Sequence, residues 1–412
     1  MNDRRPTKRV TREDSRDENT RLILQTIAEH QPTSRADLAR ATGLSRASVS
    51  DHVAALLRAG LVAELGTGYS EGGKPPTLLG MRRDGRTVIA VDLSRQPFQV
   101  AEVDLAGTVR ARLLAPAVGL VGGDALRTIA EMITSLLDAA ESPVLGIGVS
   151  CPGIVDQEGR VRQAANLEWK DLDLGRILED RFSCSLVVAN DANASALAEL
   201  GKLRDTGIDS LLTLRVSDGV GSGIVLNGEL FLGHTFAAGE VGHVKIDSLD
   251  SMCRCGKRGC LETAVSARSI LRQAGVDVPE AAVMSSEQVM RTLAEVADAP
   301  PMEQAGRIVG RLLGVLITAL DIPTIRIGGE IVGAGPRFIE VVREEVLDAV
   351  LPVLLPSVSV EYGTTEPDAA LHGAFGLVVR SQLGIQPPST SSALDQERIF
   401  RTRAIPRSVT SS

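Results

Sequence analysis

Aromatic residues are scarce in this 412-residue chain, which holds one Trp, two Tyr and seven Phe. A buried core must therefore be packed mainly by Val, Leu, Ile and Ala. Cysteine is nearly as sparse at five residues, too few for a disulfide scaffold of this length. No run of about 18 apolar residues occurs, which excludes a membrane-spanning helix. Polar and charged residues follow Met1 where a signal peptide would place an apolar core. A cytoplasmic protein with reduced thiols and no membrane partner is expected. The length suffices for two or three domains with buried interiors.

Charge is unevenly divided within a net of −8. Residues 1–83 carry 14 Lys and Arg against 10 Asp and Glu, a net of +4, and the remainder carries 30 against 42, a net of −12. A mildly basic head on an acidic body points to a nucleic-acid partner for the head alone. Residues 1–18 mix both signs without an apolar period and are expected to form a mobile arm. Leu22, Ile23, Leu24, Ile27 and Ala28 then give a helical stripe that ends before Pro32. Thr33-Ser34 offers an N-cap for a second helix, Arg35 to Ala41, stopped by Gly43. Ser45 caps a third helix from Arg46 to about Ala59, stopped by Gly60. Two short capped helices about a glycine-containing turn have the layout of a helix-turn-helix. Leu61 to Glu64, a Gly-rich loop with Lys74 at its tip, and Thr77 to Leu79 read as a two-stranded wing, so this domain spans residues 19–84.

From Thr87 the pattern becomes α/β. "TVIAVDL", "FQVAEVDLAGTVRARLL" and "VLGIGVS" read as strands, Asp124 to Ala140 as a helix, and "SLVVAN" as a strand leading into a helix from Asp191 to Leu200. A second β-rich start follows with "LLTLRVSDG" and "GSGIVLNGELFLG", where Asn227-Gly228 marks a hairpin. Helices near Ala305–Leu320, Arg337–Leu351 and Ala369–Val379 then alternate with "TIRIGG" and "SVSVEYG". Two halves built alike imply a duplicated α/β fold around a cleft, over residues 85–385 with the lobe boundary near 205. Residues 386–412, rich in Ser, Thr, Pro and Arg, are expected to be a disordered tail.

Three of the five cysteines fall in "SMCRCGKRGCLET", residues 251 to 263. Gly256 and Gly259 let so short a loop curl until Cys253, Cys255 and Cys260 face one centre. A structural zinc ion takes four N or S ligands, and His243 in "AGEVGHVKID" is the candidate for the fourth. The competing reading is a set of small buried thiols, as for Cys151 and Cys184, which a polar Gly-rich stretch fits poorly. The Cys-x-x-Cys spacing of a redox device is absent.

A second constellation suits a sugar. "ANDANASALAE" places Asn190 and Asp191 where a strand gives way to a helix, the usual ligand position in α/β folds. Asp191 could deprotonate a hydroxyl or accept hydrogen bonds from it; plain helix N-capping explains the Asn-Asp pair equally well. Glu240, His243 and Glu262 would join it from the loops that the metal holds together, since carboxylates and amides recognise polyols.

"AGEVGH", "CRCGKRGCLE" and "NDANASALAE" behind an N-terminal winged helix resemble the ROK family of sugar kinases and sugar-responsive repressors, from about Asn19 to Gly384. The resemblance implies a two-lobed actin-like, hexokinase-like (RNase H-like) ATPase fold. It further implies structural zinc on His243, Cys253, Cys255 and Cys260, and sugar contacts from Asn190, Asp191, Glu240, His243 and Glu262. One ring nitrogen of His243 would take the metal and the other the sugar.

Kinases of this family need a glycine-rich phosphate loop after the first strand, because backbone N–H groups must approach the phosphates. Here Asp92 is followed by Leu93-Ser94-Arg95-Gln96-Pro97, and Pro97 removes a donor. The second loop, "SDGVGSG", keeps three glycines but carries Asp218, whose charge would repel phosphate. Gly328-Gly329 resembles part of the family's adenosine segment. With the sugar side intact and the ATP side degraded, the expectation is a non-enzymatic, sugar-responsive regulator, most simply a repressor of carbohydrate genes, with ATP not required. The alternative is an ATP-dependent sugar kinase in which Asp191 is catalytic. Operator contacts would come from Arg46, Ser48 and Ser50 at base edges, Ser45 at a phosphate and Lys74 from the wing. An ordinary solvated Arg46 is the competing reading. Few basic residues in the third helix call for a homodimer or homotetramer on a palindromic site, released or modulated by a sugar or sugar phosphate.

Overall fold

A computed structural model describes residues 12–386, apart from 70–74, 117–118, 204–205, 279–283 and 365–366, and gives only the backbone for 12–15. Lys74 and the tail beyond Gln386 lie outside the described residues, as does the expected lobe boundary.

The first helix, α1, runs Arg12–His30 and so begins inside the segment expected as a mobile arm. No Gly or Pro interrupts those residues, so nothing in their sequence breaks the helix. The cap signals downstream act as read. Ser34 in β1 (Thr33–Ser34) and Asp37 form a reciprocal capping box that starts α2 (Arg35–Thr42). Ser45 Oγ accepts from Ser48 N at 3.2 Å and starts α3 (Arg46–Arg58). Strands β2 (Val62–Thr67) and β3 (Thr77–Met81) form the wing, with β1 paired to the far edge of β3.

Two five-stranded sheets then repeat one plan. In the first, β4 (Thr87–Asp92), β5 (Phe98–Asp104) and β6 (Val109–Ala115) form an antiparallel meander. The helix α4 (Gly122–Ala139) leads to β7 (Val144–Cys151), which lies parallel to β4. A small sheet of β8 (Ile154–Val155), β9 (Val161–Ala164) and β10 (Trp169–Leu172) comes next, then α5 (Leu174–Phe182) and β11 (Leu186–Asn190), parallel to β7. Helix α6 (Asp191–Leu203) crosses to the second sheet, where β12 (Leu211–Val216), β13 (Val220–Leu226) and β14 (Glu229–Leu230) form the matching meander. After α7 (Glu262–Val265), α8 (Ala267–Gln273), α9 (Ser286–Glu295) and α10 (Pro300–Leu320), β15 (Thr324–Gly328) lies parallel to β12. Helix α11 (Pro336–Ala349), β16 (Ser359–Tyr362) and α12 (Ala369–Leu383) complete the chain. The orders β11-β7-β4-β5-β6 and β16-β15-β12-β13-β14 are the same plan, which is the two-lobed actin-like architecture.

Each lobe buries one sheet face under its own helices, with Ile129, Met132 and Ile133 of α4 against the first and Val309, Leu313 and Phe338 of α10 and α11 against the second. The other face of the first sheet, through Val88, Ala90 and Ala101, packs on Leu371, Phe375 and Val378 of α12. That same cluster continues without a break into Ile23, Ile27, Leu38 and Val53 of the winged helix. Just past α12, the backbone N of Gln386 donates to Gln25 Oε1 of α1 at 2.8 Å. Head and first lobe therefore share one apolar core.

Helices α6 and α12 meet at Gly373, where an added Cβ would lie 1.9 Å from the carbonyl oxygen of Ala194. Gly373→Ala is accordingly expected to cost about 3 kcal/mol, at the upper end for overpacking, read as a lowered urea midpoint.

Candidate functional site

The strand-to-helix junction at β11 and α6 carries the first site residues. The amide of Asn190 is fully used within the protein. Its Nδ2 donates to Gly153 O at 2.9 Å and to Asp191 Oδ1 at 3.2 Å, and its Oδ1 accepts from Ala192 N and Asn193 N. Asn190 thus caps α6 and steers Asp191, and offers no free group to a ligand in this arrangement. Asp191 Oδ2 faces the Arg215 guanidinium of β12 at 3.5 Å. Burial raises the Asp191 carboxyl above the usual carboxylate range; Arg215 opposes the shift and the Asp92 charge adds to it. Arg215 is the one charge in β12, whose other residues are apolar apart from Thr213, and that interruption was the signal by which it could have been found.

Glu240 immediately precedes the short turn that carries His243. Burial, then the charges of Asp191 and Glu262, push its carboxyl up to about 7, so near neutrality it can both donate and accept. Three acidic side chains from separate elements therefore converge closely enough to act on one another. Glu262, the first residue of α7, accepts from Val220 N at 3.1 Å through Oε2 and lies 3.8 Å from Cys253 Sγ through Oε1. His243 links the carboxylates to the cysteines: its Nε2 lies 3.8 Å from Glu240 Oε2 and its Nδ1 3.7 Å from Cys253 Sγ.

Among the described residues, His243, Cys253, Cys255 and Cys260 form a group whose four ligand atoms lie within 4.8 Å of one another. Cys255 Sγ and Cys260 Sγ are 3.6 Å apart. Metal bonds of about 2.3 Å to sulfur and 2.0 Å to nitrogen, set tetrahedrally, put the donors about 3.5–3.8 Å apart, so the residues fit a four-coordinate ion. The backbone prepares this curl through Cys253 N to Lys257 O at 2.8 Å and Ile246 N to Gly259 O at 2.8 Å. Gly259 has φ +77°, and a Cβ there would sit 2.6 Å from Leu249 O, so no other residue serves as well.

Between the lobes lies a cavity of about 930 Å³ lined by Glu262, Cys253, Arg254, Asp218, Leu93 and Glu330 among others. Glu262 borders it directly; Asn190, Asp191, Glu240 and His243 are not in its lining. Asp218 is not the bare charge it resembles in the sequence, because Arg254 and Arg268 bind it at 2.9 and 3.0 Å. Although burial acts to raise its carboxyl, the two guanidinium groups hold it below the usual range.

The segment after Asp92 is also tied down. Asp92 is fully buried and accepts from Ser94 N, Ser94 Oγ and Gln99 Nε2 at 2.9, 2.6 and 3.1 Å. Arg95 Nη1 reaches Asp368 Oδ1 at 3.2 Å, and Arg112 grips the same carboxylate with bonds of 3.1 and 2.7 Å. The sequence reading missed this cluster: β6 carries both Arg110 and Arg112, so nothing in the strand singles out Arg112.

In the head, Ser45, Arg46 and Ser50 are exposed and Ser48 is half-buried. Ser50 Oγ donates to Arg46 O at 2.9 Å, which leaves its lone pairs outward. His52 turns inward to Thr20 Oγ1 at 2.8 Å, locking α3 on α1.

Residues 88–381 match the ROK family, and residues 16–63 match the family described as winged helix-turn-helix DNA-binding. The chain belongs to the ROK family. A relative named xylose repressor in Bacillus spizizenii is 26% identical over 374 residues, which covers 89% of this chain and 96% of that one. A glucokinase of Halalkalibacterium halodurans is 29% identical over 318 residues, covering 72% of this chain and 96% of its own. The crystal structure of a ROK family transcriptional regulator, a homolog of the E. coli MLC protein, has a TM-score of 0.74 at 27% identity, covering 90% of this chain and 96% of that chain.

For Asp368, burial works against ionisation, but the Arg112 bonds and the charges of Arg112, Arg95 and His372 bring its carboxyl below its ordinary value. A carboxylate with a lowered folded-state value contributes stability above its unfolded value, and that contribution is lost as pH falls through the folded one. Asp368→Asn should therefore cost about 3 kcal/mol at pH 7, and the difference from wild type should shrink in urea titrations at about pH 3.

Proposed function

We propose that the chain is a sugar-responsive transcriptional regulator, most simply a repressor of carbohydrate genes. The observation that carries this reading is a winged helix fused through one apolar core to a ROK domain. The regulator matches support it, since they extend over a share of the chain that must include part of the head. In this reading the head begins with α1, the sensor occupies residues 85–385, and the lobes divide near 205. The operator is read by Arg46, Ser48 and Ser50, with Ser45 at a phosphate and Lys74 reaching from the wing. Two or four copies bind a palindromic site.

The sugar is held by Asp191, Glu240, His243 and Glu262, with Asn190 fixing Asp191 in place. Zinc on His243, Cys253, Cys255 and Cys260 is structural; it supplies a rigid, charge-neutralising clasp that keeps His243 and Glu262 on one wall. The chain acts without phosphate transfer. That is supported by the buried bonds of Asp92 to Ser94 and Gln99, which close the turn where a kinase would receive phosphates. Sugar binding shifts the balance between lobe arrangements. The route to DNA runs from Asp191 along α6, through the Gly373 contact to α12, and from Gln386 to Gln25 of α1.

The deciding experiment selects an operator from random DNA with the purified protein and then titrates it across a sugar panel, with and without ATP. One sugar should change operator affinity about tenfold or more, with no sugar-dependent ATP consumption. Sugar binding that leaves operator affinity unaltered would sink the proposal, and phosphate transfer lost in Asp191→Asn would establish the kinase instead. Arg46→Ala should weaken operator binding about tenfold while sugar binding holds.

Metal analysis should return one zinc per chain, and Cys255→Ser should lose it. That variant should lose sugar response before operator binding. The reverse order, with operator binding lost and sugar binding unchanged, would count against the clasp.

A further inference from the structure

We propose that the turn after β4 and the first turn of α9 form a latch across the cleft. The backbone N–H of Ser286 in the second lobe donates to the carbonyl oxygen of Gln96 in the first, and the lobes part on this side only when that bond breaks. The latch goes beyond the sugar-sensor reading, because it belongs to the lobe contact itself and needs no ligand to act.

The bond is 3.0 Å long and joins backbone to backbone. At the start of α9, Ser285 and Gln288 form a capping box, in which Ser285 Oγ accepts from Gln288 N and Gln288 Oε1 accepts from Ser285 N. That box leaves the Ser286 N–H unused, since the first N–H of a helix has no partner inside it. Ser286 is only 3% exposed, so its N–H needs an acceptor from the protein, and Gln96 O supplies it from the facing lobe.

Each half of the latch is seated firmly in its own lobe. Ser286 Oγ donates to Glu330 Oε1 at 2.7 Å, and Leu293 of α9 is buried in the core of the second lobe. A Cβ on Gly333 would lie 2.4 Å from Met290 O, so α9 cannot shift against the turn Glu330–Ala334. On the other side, Asp92 holds Ser94, and Arg95 Nη1 donates to Pro367 O at 2.9 Å and to Asp368 Oδ1 at 3.2 Å. One hydrogen bond between two rigid pieces is either made or broken. Dense packing around Gly373 offers no such choice, whereas water can replace the bond at Gln96.

Closure also carries a cost. Gln96 Oε1 and Glu330 Oε2 are buried at the latch with no hydrogen-bond partner among the described residues. Both gain water when the lobes part. A bond that favours closure is thus set against two acceptors that oppose it, which leaves the latch poised and not locked.

The test separates the backbone bond from the side chain. Pro suits the first position of a helix, and Ser285 already has φ −65° and ψ 154°, the extended conformation that a following Pro requires. Ser286→Pro therefore removes the N–H donor without breaking α9, and Ser286→Ala removes only the bond to Glu330. Spin labels on unnatural amino acids at exposed Glu131 of α4 and Glu344 of α11 spare the cysteines and report the distance between lobes by double electron–electron resonance. Ser286→Pro should raise the population of an altered distance about fivefold or more over both wild type and Ser286→Ala. An unchanged distribution in Ser286→Pro, or the same change in Ser286→Ala, overturns the latch. Hydrogen exchange of the wild-type chain, resolved to single residues by electron-transfer fragmentation, covers a variant that does not fold. The Ser286 amide should exchange about tenfold or more below the rate of an unstructured chain, and an unprotected amide refutes the bond. Sugars are titrated separately against the selected operator: if none alters operator affinity the sensor reading fails, while the Ser286 measurements still decide the latch.

Discussion

Two helices in this molecule touch with no room for a side-chain carbon between them, and both lobes are referred to that contact. Helix α6 brings Asp191 to the cleft and bonds to the second sheet, where Arg215 Nη1 donates to Ser195 Oγ at 3.1 Å and Thr213 Oγ1 donates to Ala192 O at 3.3 Å. Helix α12 lies on the first sheet, where a Cβ on Gly148 would fall 2.2 Å from Ala374 O. Each helix is committed to a different sheet, and Gly373 commits them to each other. Packed interiors of this density do not stretch, so this line is where the two lobes are held to each other.

The chemistry gathers at the cleft end of α6. Burial, with the charges of Asp191 and Glu262 beside it, raises Glu240 to about 7, and buried, crowded carboxyl groups are costly unless a ligand or cation relieves them. The cysteine-histidine group, whose ligand atoms could hold a metal ion, lies at one edge, and Arg215 supplies buried positive charge at another. Arginine also does the opposite work here. Arg95, Arg112, Arg254 and Arg268 hold Asp368 and Asp218 in internal pairs.

Local signals carried the sequence reading. Caps at Ser34 and Ser45, the Asn227-Gly228 hairpin and the cysteine spacing all act within a few residues, so each was legible from the chain alone. The duplicated sheet plan was visible because both meanders announce themselves by turns. What escaped was long-range or weakly patterned. Strands β8 to β10 are two to four residues long, too short to show alternation. Arg254 and Arg268 stand 36 and 50 residues from Asp218, so a carboxylate that reads as repulsive in one dimension is neutralised in three. Asn190 reads as a ligand group, but its four hydrogen bonds are already taken by its own junction.

The apolar floor beneath the winged helix is made partly of α12 and the first sheet, so the head is not a bead on a string. A detached head would face water with Ile23, Ile27 and their neighbours half uncovered, and its fold would be correspondingly weaker. Grafting this DNA-reading module onto another sensor would therefore require carrying along the last turn of α12 and the Ile385-Gln386 step that seals it. The inward face of α3, through Val49, Val53 and Leu56, already answers to that shared core.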